Sequence, residues 1–370
     1  MLESLIVYLL IYTSSLICAR QAQVATMSCN KPLYSSPFFY IGVVIFSLIV
    51  GLRWNVGIDY PAYYDLIMGF NTYDSSFDRL EFIPKLTINI IQKYNFPFYT
   101  WFILMAAIQM FFFQKAFSKE LKIFVVWGMF FYLAGQLSLS MNIIRQATAL
   151  TIVLYAYTHI AQKDYLKYTI WIIIASLFHT TALLGIPILF LKKVKFTISP
   201  LIQIGIVVFF YVFGEYLINY IVNSLSAYSN SIAYLSKTQA IEDDTFIIKQ
   251  GSGLGVIFNY TRYFILILYS KQLSQEYKKY GFDIFYTISF IGICLYKSTM
   301  YDMYLSRINM YFSIASIVCL SMLMVHLWEQ KHNVMHQLIM IGLTLVQVVL
   351  SLYTIINGGS WSFVWDSHMY

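Results

Sequence analysis

The chain has 370 residues, of which 59% are hydrophobic, 19% aromatic and 11% charged, with a formal net charge of +7. Soluble domains carry about 25% charged residues, so this composition excludes an ordinary soluble domain and places the chain in a lipid bilayer. In such a protein a lysine excess belongs to cytoplasmic loops, which removes nucleic acid as the reason for the positive charge. The four cysteines, Cys18, Cys29, Cys294 and Cys319, form no CxxC pair, so neither a zinc site nor a disulfide framework is indicated.

A spanning helix needs about 20 mostly apolar residues. Runs of this kind predict spans near 4–18, 37–52, 98–114, 122–138, 143–161, 198–222, 252–270, 283–297, 305–328 and 334–356. The first, MLESLIVYLLIYTSSLICA, lacks a basic leader and carries Glu3, so it reads as a retained span with its N-terminus outside. One further segment, YTIWIIIASLFHTTALLGIPILFL at 168–191, has His179, Thr180 and Thr181 at its middle and Pro187 beyond them. It is either one crossing or two half-length helices that enter and leave on the same side.

Orientation follows Lys and Arg in short loops. If 168–191 turns back, fourteen of the 24 basic residues, among them Lys115, Lys163, Lys192, Lys193, Lys278 and Lys279, gather on one face. If it crosses, Lys278 and Lys279 move outside with Lys192 and Lys193, so the hairpin is the better reading. The expected fold is therefore an all-α, polytopic integral membrane helix bundle of about 10 spans with a half-helix hairpin, forming one transmembrane domain. The long loops 53–97 and 223–251 and most acidic residues then lie outside, and so should the chemistry.

Candidate site residues fall on that outer side. Arg145 and Gln146 open an apolar helix in SLSMNIIRQATAL, with Gln136, Ser138 and Asn142 just before them. A charge at membrane depth by default marks a substrate or ion path, although an arginine can also snorkel to headgroups. Arg307 follows Asp302 in YDMYLSRINMYF, where the two are candidates for an interfacial salt bridge. A planar guanidinium grips phosphate in a bidentate manner, so Arg145 and Arg307 together could hold a diphosphate. His179 lies where irregular backbone is tolerated only if it is buried in protein or lines a cavity. Its imidazole there is either a donor to phosphate or a general acid or base, or a plain hydrogen-bonding partner within a bundle.

The segment RWNVGIDYPAYYDLI adds Arg53, Asp59, Tyr60, Tyr63, Tyr64 and Asp65, and beyond it come Asp74, Asp78, Arg79 and Glu81. Asp59 is the rival base to His179, while Asp65, Asp74 and Asp78 read as solvated loop acids. GSGLGV at 251–256 opens a span without a preceding strand or GK[ST], so it is loop and close helix packing. The run Glu242, Asp243, Asp244 could take a divalent cation, but a solitary acidic run in a loop is more often solvated.

Five ordered pieces, RWNVGIDYPAYY at 53–64, the glutamate of LEFIPKLTINII at 80–91, SLSMNIIRQATAL at 138–150, ASLFHTTALLGIP at 175–187 and SRINMYF at 306–312, carry a resemblance. The chain resembles the EpsG-like branch of the Wzy-type polysaccharide repeat-unit polymerases. The resemblance implies a GT-C-like membrane glycosyltransferase in the bacterial cytoplasmic membrane, with its active site facing the periplasm. It implies undecaprenyl-diphosphate-linked oligosaccharide as donor and acceptor, joined into O-antigen, capsule or exopolysaccharide, with a Wzz-type chain-length regulator as a partner. Arg145, Arg307, Arg53 and Gln146 would then bind the diphosphate, with Arg53 supporting it or anchoring the loop. His179 or Asp59 would act as base beside Arg145, and Tyr60, Tyr63, Glu81 and Asn142 would contact substrate. No metal or cofactor is expected, because arginines can supply the positive charge. The competing readings are a lipid-linked sugar flippase or transporter, for which no internal repeat is seen, and an O-antigen ligase or membrane acyltransferase.

Overall fold

The computed structural model describes residues 2–70, 80–193, 198–226, 253–300 and 302–357. Asp74, Asp78, Arg79, the acidic run 242–244 and all of the 223–251 loop beyond residue 226 lie outside these residues. Among the described residues the regular elements are helices and there is no β-strand. The chain divides into two compact units, residues 1–189 with 320–370, and residues 190–319.

The first unit contains α1 (Leu2–Met27), α2 (Pro37–Gly51), α3 (Tyr60–Met68), α4 (Phe82–Lys93), α5 (Tyr99–Ala116), α6 (Val125–Asn142), α7 (Ile144–Ala161) and α8 (Tyr165–Ser176), followed by a 3-10 segment, Thr180–Lys193, whose last residues, from Phe190, are assigned to the second. The second contains α9 (Pro200–Ser226), α10 (Leu254–Glu276), α11 (Phe282–Thr299) and α12 (Met303–Ser313). Helix α13 (Ser316–Glu329) begins in the second unit and ends in the first, and α14 (Val334–Asn357) belongs to the first.

A helix stands at every position where a span is expected. Judged by length and apolarity, four described helices can cross a bilayer: Glu3–Met27, Glu120–Asn142, Pro200–Ile221 and Val334–Ile356. A fifth results if Tyr304–Ser313 and Ser316–Glu329, bent by 41° at their break, form one span. The expected ten shrink on this measure for a physical reason. Some helices are short, such as Pro37–Gly51, and others hold polar side chains inside, such as Gln109 and Gln114 on α5 and Arg145 and Gln146 on α7.

Between helices in lipid no hydrophobic force acts, so small residues that let backbones approach do the packing. At the end of α2, a Cβ added to Gly51 would lie 2.5 Å from the Ile103 Cα of α5, so only glycine fits there. Ser36 caps α2 by accepting from the Phe38 N–H at 3.3 Å, and Pro37 occupies the first turn, where its missing N–H is harmless. On α5 the buried Gln109 donates toward Ser140 O, Ile144 O and Thr148 Oγ1 at 3.2–3.4 Å, bracing the joint where α6 breaks and α7 starts.

The segment 168–191 is a hairpin. The Tyr168 hydroxyl donates to Gly185 O at 2.5 Å, although these residues are 17 apart in sequence. A straight helix would separate them by about 25 Å, so the chain reverses between them. The outgoing arm is α8, which buries Tyr168, Ile172 and Ala175. The returning arm is 3-10, and it buries Ala182, Gly185 and Ile188, every third residue, as three residues per turn require. Residues 177–179 form the apex.

The second unit adds a buried polar junction. Gln203 of α9 accepts from the Tyr286 hydroxyl of α11 at 2.5 Å and donates to Ser270 Oγ of α10 at 3.2 Å. Asn309 of α12 donates to Gly292 O of α11 at 3.2 Å.

Candidate functional site

The loop after α2 folds onto the α6–α7 joint. Arg53 donates from Nη2 to Met141 O at 2.9 Å, from Nη1 to Val50 O at 2.6 Å and from Nε to Val56 O at 3.2 Å. Its guanidinium carbon lies 4.9 Å from the Phe102 ring centroid, and the residue is only 3% exposed. Gly57 has φ +102° and would bring a Cβ within 2.8 Å of Met141 O, so this turn requires glycine. The Asp59 N–H donates to Asn142 Oδ1 at 2.9 Å. Arg53 is thus the anchor of the loop, and Asn142 is a clasp for it.

This clasp sets α3. Tyr60 is buried and stacked on Phe102, with centroids 4.7 Å apart. One turn on, Tyr63 stacks on Trp101 at 4.8 Å, and the Trp101 indole donates to Thr87 Oγ1 of α4 at 3.1 Å. Gln92 of α4 donates to Leu66 O and Ile67 O at 3.0 and 3.1 Å, which fastens α3 to α4. The start of α4 is in turn tied to the hairpin apex by Ile83 N–H donating to Leu177 O at 3.0 Å.

At this meeting point stands Glu81. It occupies the N-cap position of α4 yet makes no capping bond with its side chain. Its carboxylate faces the other way. Oε1 lies 2.7 Å from His179 Nδ1 and accepts from the Thr180 N–H at 3.3 Å. Oε2 pairs with Arg145 Nη1, and Arg145 Nε donates to the Tyr63 hydroxyl at 3.0 Å. The Glu81 side chain is 8% exposed, His179 18% and Arg145 26%, so the carboxylate is innermost and the two basic groups reach outward from it. Among the described residues Arg145 Nη2 and His179 Nε2 make no hydrogen bond.

The electrostatics follow from this arrangement. Burial opposes ionisation of Glu81, but the His179 hydrogen bond and the Arg145 charge outweigh it and pull the carboxyl down to about 2. Burial raises the Tyr63 phenol above its ordinary value against the nearby Arg145 charge, so it stays neutral and accepts from the guanidinium. Among the described residues, Arg145 Nη2 and His179 Nε2 are thus the donor and the ring nitrogen left for a ligand.

Four expected residues are gathered in this cluster: Arg145, His179, Glu81 and Tyr63. Arg53, Tyr60 and Asn142 sit behind it as loop and core supports. Asp59 starts α3, and its charge is felt by Tyr63. Gln146 is buried on α7. Arg307 lies in the second unit on α12, and Asp302, its expected salt-bridge partner, uses Oδ1 to cap that helix, accepting from the Tyr304 and Leu305 N–H groups at 2.8 Å. Trp101, Thr87 and Gln109 were not anticipated; a buried glutamine in an apolar helix was the available signal for the last. Among the described residues no group of three or more His, Cys, Asp or Glu side chains could hold a metal ion.

The helices and this carboxylate-bridged cluster define a multi-pass membrane protein with a polar site at the apex of a hairpin. The chain belongs to the EpsG family, whose family model it matches over residues 37–365. That membership makes it a polysaccharide-related membrane protein. Comparison with curated proteins and with solved structures returns no match.

Proposed function

We propose that the protein is a polysaccharide repeat-unit polymerase of the Wzy type, a glycosyltransferase that joins undecaprenyl-diphosphate-linked oligosaccharides on the periplasmic face of the cytoplasmic membrane. The observation that carries this reading is the junction of Arg145 and His179 through Glu81 at the apex of the hairpin. Polymerisation by this chemistry needs three things: charge stabilisation for a departing lipid diphosphate, orientation of two substrates and a group that takes one proton. Arg145 Nη2 supplies the first. The imidazole supplies the last. Because a lipid diphosphate leaves readily, the guanidinium charge meets the electrostatic demand.

The test is purified protein given a synthetic undecaprenyl-diphosphate repeat unit, with products resolved by size. A ladder of multiples is expected. Single transfer to a lipid A core acceptor without a ladder would instead identify a ligase, and movement of the lipid across vesicles without any new glycosidic bond would identify a flippase.

A further inference from the structure

A single carboxylate contacts two different basic groups through two different oxygens, and this fixes what each can still do. A carboxylate accepts hydrogen bonds and donates none. With Glu81 Oε1 at 2.7 Å from His179 Nδ1, the proton of a neutral imidazole therefore sits on Nδ1, and Nε2 carries the lone pair. The Thr180 N–H on the same oxygen holds that carboxylate arm toward the ring, and Arg145 on Oε2 keeps the carboxylate ionised. Among the described residues, the charged and titratable groups at His179 are thus Glu81 directly and, through it, Arg145 and, beyond Arg145, Tyr63.

Resting on the polymerase reading above, we propose that His179 Nε2 is the base that takes the proton of the acceptor hydroxyl, and that Glu81 is the positioning residue that fixes its tautomer. In the step, the hydroxyl oxygen bonds to the anomeric carbon of the donor while its proton passes to Nε2. The anomeric carbon–oxygen bond to the diphosphate breaks, and its electron pair leaves on the diphosphate, held by Arg145 through Nη2. The imidazolium, now protonated on both nitrogens, is stabilised by Glu81 until Nε2 returns its proton to water. A carboxylate that orients a histidine without itself taking the proton is a known division of labour in hydrolytic triads.

Two measurements test this on the full-length protein. In the ladder assay, Glu81→Gln and His179→Ala should each lower kcat by about 10²-fold or more, with KM for the lipid-linked unit changed only a few-fold and Glu81→Asp restoring part of the rate. The double variant Glu81→Gln/His179→Ala should be no slower than His179→Ala alone, since Glu81 acts through the imidazole. Losses that multiply in the double variant would overturn the assignment. Separately, 15N-histidine NMR of the wild type, with His179 identified by its absence from His179→Ala, should show a protonated Nδ1 and an unprotonated Nε2 in the neutral ring. The opposite tautomer would overturn the proposal whatever the activity of the variants. A wild type that builds no ladder rejects the polymerase reading, while the tautomer remains readable.

Discussion

At the residue scale, two arginines with the same chemistry are used in opposite ways. Arg53 commits its guanidinium to three backbone carbonyls, whereas Arg145 bonds only side chains and, among the described residues, leaves Nη2 without a partner. Arg53→Ala should destabilise the fold by about 3 kcal/mol or more, because it strands buried carbonyls, and a lowered unfolding midpoint in detergent would report it. Arg145→Lys should leave that midpoint within a degree or two yet abolish long-chain polysaccharide, since a point charge lacks the fork; wild-type chain lengths would remove the bidentate role. Glu81 adds a pH signature. Its folded value, about 2, is below the ordinary 4.5, so its contribution to stability is fully present above pH 4.5 and is lost as pH falls through 2. Thermal unfolding between pH 3 and 7 should show this acid slope in the wild type and a flatter one in Glu81→Gln. Sequence alone singled out Arg145 and His179 because charge and imidazole inside apolar runs are expensive. It left Arg53 open between supporting the diphosphate and anchoring the loop, because the choice lies in carbonyls contributed by Met141, Val50 and Val56.

At the scale of elements, the hairpin was legible and the hub was not. A histidine and two threonines at mid-segment, followed by proline, mark a break, and lysine placement favours reversal. The link among residues 81, 145 and 179 is tertiary, and nothing local to LEFIPKL announces it. The hairpin depends on the closure between its arms. Tyr168→Phe removes the hydroxyl bond to Gly185 O and should cost about 1 kcal/mol. It should also loosen the apex that carries His179, so that activity falls further than a loss of stability of this size explains. Unchanged turnover in Tyr168→Phe would show that the apex is held by Ile83 and Leu177 alone. Gly51→Ala tests the other close approach. Its new methyl meets the Ile103 backbone, which cannot swing aside, so the variant should accumulate poorly and unfold at lower temperature, whereas Gly205→Ala on α9, with nothing within 4 Å, should behave as wild type.

At the scale of the whole molecule, the threading makes a prediction about sidedness. Cysteine at Asn95, in the exposed turn after α4, should react with an impermeant reagent in intact cells, and cysteine at Lys163 or Lys278 should not. Labelling of Lys278→Cys from outside would turn 168–191 into a true crossing and reverse every later loop. The site has its own consequence at this scale. With a neutral imidazole, Arg145 and Glu81 sum to zero, so the cluster carries no net charge. An anion arriving at Arg145 meets a tenant: part of what it gains from the guanidinium is offset by what the Arg145–Glu81 pair gives up. Under the polymerase function proposed above, Glu81 is then a built-in competitor that loosens the grip on a spent diphosphate at each exchange of the lipid carrier.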